Sequence, residues 1–157
     1  MKHETMIQTV KGSVFDVNRA EGIAVFIPMG LVGIRAEAEA FVSMFGIRNR
    51  RPKDMVVCSW PEPRCGIARH IVFFDNMEKE IHTVDDMRQQ VNDTLDAFAG
   101  LGAKTVAMNA IRSRTLPDKR SRQEQYQRRF VEDYLEANPG IFDTVYLVDL
   151  RGGFNRC

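Results

Sequence analysis

"KTVAMNAIRSRTLPDKRSRQEQYQRRFVEDYLEANPGIFDTVYLVD", residues 104–149, is the stretch whose reading sets the fold. It opens on a short apolar run, KTVAMNA (104–110), that reads as a strand. A polar loop with Arg112, Ser113 and Arg114 follows. A helical pattern then runs over 118–140: Asp118 or Ser121 is its start signal, Tyr126, Phe130, Tyr134 and Leu135 form its apolar side, and Pro139-Gly140 stops it. A second apolar run, DTVYLVD (143–149), closes the unit. Two strands that are apolar on both faces and separated by one helix imply a right-handed crossover and a parallel sheet covered on both sides.

The same alternation extends towards the N-terminus. MIQTV (6–10), GIAVFIP (22–28), DMVVC (54–58) and RHIVFF (69–74) read as four more strands. Residues 35–46 carry Ala38, Phe41, Val42 and Phe45 on one helical stripe and close on Gly46. Residues 83–102 open with Thr83 as N-cap and Asp86 three positions later, turn Met87, Val91, Leu95 and Phe98 inward, and stop at Gly100 or Gly102. The expected fold is α/β: three α/β/α layers around a mixed, mostly parallel six-stranded sheet. The 157 residues suit a single domain over 1–157 with one core.

Composition excludes several classes. The chain is 44% hydrophobic and 27% charged, which fits an ordinary globular protein and not a disordered one. No window reaches the length of a membrane span, and the first residues have no apolar core to act as a secretion signal, so the default location is the cytoplasm with no membrane partner. Cys58, Cys65 and Cys157 are odd in number and fit reduced thiols; the C-x6-C spacing of the first two has no second pair to complete a zinc site. No metal and no cofactor is expected. His3, His70, His82 and Cys58 read as structural, Asp85 and Asp86 as first-turn helix residues, and Asp16 as a turn residue. The oligomeric state is not readable.

Net charge is only +1, yet it is unevenly spread: 47–53 and 112–122 are basic, 84–86 and 131–136 acidic. The patch RNRRPK (48–53) near Trp60 is the feature that points to nucleic acid, through phosphate neutralisation and stacking. The second patch has a different setting. In an open α/β sheet ligands collect outside the carboxyl ends of the parallel strands, where the next helix presents unpaired amides. A strand ending near Asn109, a loop with Arg112, Ser113 and Arg114, and a helix start near Asp118 together suit a phosphate or diphosphate. Lys119, Arg120 and Arg122 in the first turn oppose the helix dipole, so they do not serve the helix itself. Three readings stand side by side: cations that pair with an anion, cations on a solvated loop, or cations that contact a protein or nucleic acid.

These stretches together resemble the macro domain family, whose typical members bind ADP-ribose and whose relatives include ADP-ribosyl hydrolases. VKGSVFDV (10–17) is similar to the family's opening strand and turn, GIAVFIPMGLVGIRAEAEAF (22–41) to its VNAAN strand, glycine-rich loop and helix, and DMVVCSWPEPRCGIARHIVFFDN (54–76) to its edge strand, glycine turn and next strand. VNDTLDAFAGLGAKTVAMNAIRS (91–113) is similar to the helix and SIAFPAIST strand, and DTVYLVDL (143–150) to the last strand. The resemblance implies a binding module for a small phosphorylated nucleotide-type ligand such as ADP-ribose. It places Ser13 at the adenine-contacting position, Gly30 and Gly33 at close backbone approach, and Asn109, Arg112, Ser113 and Arg114 in the diphosphate loop, with Arg35 supplying charge from the facing loop. The VNAAN positions read Phe26 to Gly30 without either asparagine, which argues against the usual hydrolase. An ADP-ribosyl hydrolase and a domain that has exchanged its small-molecule site for a protein or nucleic-acid contact are the alternatives.

Overall fold

Among the described residues, strand-forming runs and helical stripes assemble into one sheet under two helices. The computed structural model describes residues 5–12, 14, 17, 20–27, 56–59, 68–75, 81–111, 113 and 115–149. The strands are β1 (Met6–Lys11), β2 (Gly22–Ile27), β3 (Val56–Ser59), β4 (His70–Asp75), β5 (Thr105–Asn109) and β6 (Thr144–Asp149); the helices are α1 (Val84–Gly100) and α2 (Arg120–Ala137). All six expected strands form, with ends displaced by two residues at most.

The sheet order is β1-β6-β5-β2-β4-β3. Every neighbouring pair is parallel except β3, which runs antiparallel along β4 at the edge. The chain passes from β4 through α1 to β5, on the far side of β2, and then through α2 to β6. β2 is therefore the central strand at which the direction of winding reverses.

Period-two alternation decides what each face buries. Ala24, Phe26, Val72, Phe74, Val106, Met108, Val145 and Leu147 pack against the two helices. Ile23, Val25, Ile71, Phe73, Ala107 and Val148 lie on the other face and are buried as well. The sheet is thus covered on both sides, as three layers require; the expected helix over 35–46 lies outside the described residues.

Helix α1 forms as its sequence specifies. Thr83 Oγ1 accepts from the Asp86 N–H at 3.1 Å, and Asp86 Oδ2 accepts from the N–H groups of Thr83 and His82, both at 3.0 Å. The His82 and Thr83 amides hold the Asp86 carboxyl below the usual carboxylate range. Met87, Val91, Leu95 and Phe98 are fully buried. Beyond the helix, Gly102 turns the chain into β5 with φ of 75°, a conformation that disfavours a side chain. The ring of Phe98 lies against Gly22: a Cβ there would stand 2.6 Å from Phe98 Cε1.

Helix α2 corrects one expectation. Its N-cap is Lys119, with no side-chain cap, and not Asp118 or Ser121. The Asp118 carboxylate instead accepts from the Tyr126 hydroxyl at 3.4 Å, so it is turned along the helix and away from its first amides. Where α2 crosses α1, Tyr134 donates its hydroxyl to Asp96 Oδ1 at 2.7 Å, and the Arg88 guanidinium lies 4.9 Å from the centre of the Phe130 ring. Burial first, and then Asp96, push the Tyr134 hydroxyl pKa well up.

Candidate ligand-binding site at the carboxyl ends of the strands

Five parallel strands run the same way, so their carboxyl ends share one margin of the sheet. At its centre β2 and β5 part. Their pairing stops at Ala24 and Met108, whereas β2 continues along β4 to Ile27 and β5 along β6 to Asn109. The carboxamide of Asn109, 3% exposed, spans the opening. Its Oδ1 accepts from the Phe26 N–H at 2.9 Å, and its Nδ2 donates to the Phe26 carbonyl at 3.4 Å. One side chain satisfies two backbone groups that lie beyond the end of the β2–β5 pairing. The Phe26 ring points into the helix-side core and stacks on Phe74, centres 5.5 Å apart.

The loop after β5 is held from two directions. From α2, Gln127 donates to the Asn109 carbonyl at 2.9 Å and accepts from the Ile111 N–H at 2.7 Å. One turn earlier, Gln123 accepts from the Ser113 N–H at 2.9 Å and donates to the carbonyls of Ser113 and Asp118, both at 3.0 Å. From the side of α1, the Ile81 carbonyl accepts from Ser113 Oγ at 2.5 Å and also from the Thr115 hydroxyl. At the amino end of α2, Pro117, Asp118, Lys119, Ser121, Arg122 and Gln125 line an open pocket of about 440 Å³. Lys119 and Arg122 are exposed there, and the Arg122 guanidinium lies 5.7 Å from the centre of the Tyr126 ring. An uncapped helix start with two cations beside it gives the pocket a positive field, offset by the Asp118 carboxylate alone among its lining residues.

No family sequence model and no curated protein matches the chain. Solved structures do. The Trypanosoma brucei macrodomain in complex with ADP-ribose is 12% identical and superposes with a TM-score of 0.72, covering 96% of this chain and 68% of that one. The macro domain of ganglioside induced differentiation associated protein 2 is 13% identical, with a TM-score of 0.67 and coverage of 96% and 81%. The macrodomain of Mycobacterium tuberculosis DarG is 15% identical, with a TM-score of 0.64 and coverage of 91% and 97%. The chain has the macrodomain fold. At these identities the likeness concerns the macrodomain backbone and carries no residue's role across.

Of the site residues expected from the sequence, Asn109 and Ser113 are described, and both lie at the carboxyl margin. Ser13, Gly30, Gly33, Arg35, Arg112 and Arg114 lie outside the described residues, as do Trp60 and the 48–53 patch. The Ser113 hydroxyl is donated to Ile81, so a phosphate could receive it only if that bond opened; Thr115, bonded to the same carbonyl, would keep it satisfied. His70 is at the other end of the sheet, where β4 begins, 6% exposed and with Nδ1 2.8 Å from Ser59 Oγ. Burial and then Arg69 lower its pKa, partly offset by Glu21, which suits a neutral structural imidazole. Among the described residues no His, Cys, Asp and Glu cluster could hold a metal ion, and no helix is long and apolar enough to cross a membrane. Sequence reasoning missed Gln123 and Gln127. The available signal was their place on the inward stripe of α2, four residues apart and continuous with Phe130, Val131 and Tyr134.

Proposed function

We propose that this macrodomain fold serves as a binding module for a small phosphorylated nucleotide-type ligand, ADP-ribose or a close relative, seated at the carboxyl ends of β2 and β5. The observation that carries this reading is the parting of the two central strands at the point where the winding reverses, with an uncapped, cationic helix start beside it. Among neighbours of the same fold, the T. brucei macrodomain has been solved in complex with ADP and with ADP-ribose. In this reading the diphosphate faces the amino end of α2, where Lys119 and Arg122 supply charge and Ser113 a hydroxyl. We assign Arg35, Arg112 and Arg114 to charge pairing, Gly30 and Gly33 to close backbone approach and Ser13 to the base, while Asn109 fixes the floor. The test is calorimetric titration with ADP-ribose, ADP and AMP. ADP-ribose should bind with micromolar affinity, weakened by Arg122→Ala; no ligand binding better than millimolar would overturn the proposal.

A further inference from the structure

The inward stripe of α2 changes character along its length. Phe130, Val131, Tyr134 and Leu135 bury hydrocarbon against the sheet, whereas one and two turns earlier the same stripe buries the amides of Gln127 and Gln123, at 0% and 4% exposure. Burying an amide costs stability unless each polar atom finds a partner, so a helix that only packs on a sheet gains nothing by placing glutamine there. All five bonds that these amides make go to one segment: to Asn109, Ile111, Ser113 and Asp118. Asn109 in turn grips Phe26 of β2, so an unbroken series of hydrogen bonds runs from α2 through the end of β5 to the parting of the central strands.

We infer that Gln123 and Gln127 are positioning residues for the ligand site: they hold the β5–α2 loop in its binding shape before any ligand arrives. This rests on the functional reading above. A loop that ordered only on binding would subtract its ordering cost from the affinity, and a preset loop avoids that loss. The Gln127 amide supplies both a donor and an acceptor to backbone groups two residues apart, as a neighbouring strand would, and one turn earlier the Gln123 amide accepts from the Ser113 N–H and donates to the Ser113 and Asp118 carbonyls. Ser113 and Thr115 fix the loop from its other side through Ile81.

The experiment combines amide hydrogen exchange at Ile111 and Ser113 with ADP-ribose titration. Both are run on the natural chain, Gln123→Met, Gln127→Met and the exposed control Gln89→Met, at a temperature where circular dichroism finds all four folded. In the natural chain the two amides should already be protected without ligand. Each loop variant should exchange them at least about tenfold faster and bind ADP-ribose about tenfold more weakly, as expected for lost buried hydrogen bonds. Gln89→Met should change neither reading. Folded variants with unchanged affinity would overturn the inference. So would amides in the natural chain that exchange like exposed ones until ADP-ribose is added, a measurement that decides the matter even if a variant fails to fold. If the natural chain does not bind ADP-ribose, the functional reading fails and the positioning role with it; the exchange rates would still reveal whether the glutamines hold the loop.

Discussion

A side chain of four heavy atoms closes the gap between the two central strands. Asn109 meets both the N–H and the carbonyl of Phe26 at a place where the β2–β5 pairing has already ended. Asn109→Ala would strand a buried donor and acceptor, and we expect a loss of about 2 kcal/mol, the usual scale for unsatisfied buried backbone groups. Urea unfolding measures it; an unshifted midpoint would mean that water or a neighbour replaces the carboxamide. Gly22 is fixed by the opposite constraint, too little space. A methyl group at Gly22 meets the buried Phe98 ring at 2.6 and 2.7 Å, and neither the strand nor the helix beneath it has an easy way to yield. Gly22→Ala should cost about 1–3 kcal/mol by overpacking. The cause is checked by repeating the substitution in a Phe98→Leu background, where its additional cost should shrink; an equal cost in both backgrounds would point to backbone strain instead.

The two helices begin in opposite ways. α1 has a full capping box and two acids in its first turn, whereas α2 starts at Lys119 with no side-chain cap and no acid. Such a start sacrifices helix stability, which is intelligible if the free amides and cations face an anion. Lys119→Asp should therefore raise unfolding stability by about 1 kcal/mol through capping and the dipole. It should also weaken ADP-ribose binding. Thermal melts and titrations of the one variant check both, and a variant that is more stable yet binds equally well would separate the helix start from the ligand site. The same contrast explains what could be read in advance. β2, β5 and β6 are apolar on both faces and α1 carries its own cap, so local pattern suffices to place them. The start of α2 could not be placed because Asp118 turns to Tyr126, a tertiary choice that a capping rule does not contain. At the site, Asn109 was nominated as a ligand residue, while its bonds to Phe26 depend on a pairing register that the sequence does not reveal. For Gln123 and Gln127 the sequence offers only their spacing on the inward stripe of α2, because the backbone partners that make their burial possible are tertiary.

At the scale of the whole molecule, stability should depend on pH through a group far from the site. His70 sits where β3 and β4 pair, buried against Ser59, and its pKa is lowered by burial and by Arg69 against the opposing pull of Glu21. A histidine with a lowered folded pKa stays neutral in the native sheet while the unfolded chain takes up a proton. Native stability is thus fully present above the unfolded value of about 6.5 and falls as pH drops from there towards the folded value. The slope for one such proton is at most about 1.4 kcal/mol per pH unit. Asp86 has the opposite chemistry but the same direction: its depressed carboxyl pKa contributes stability that is lost only in strong acid, as pH falls through the folded value. The two steps are therefore separated along the pH axis. Unfolding free energy measured from pH 8 to pH 5 should be flat at first and then decline below about 6.5, and His70→Gln, whose amide offers Ser59 a donor and an acceptor without titrating, should remove that decline. The two proteins should agree in slope above neutrality. If His70→Gln declines as steeply as the natural chain between pH 6.5 and 5.5, His70 is not the group that couples this sheet edge to protons.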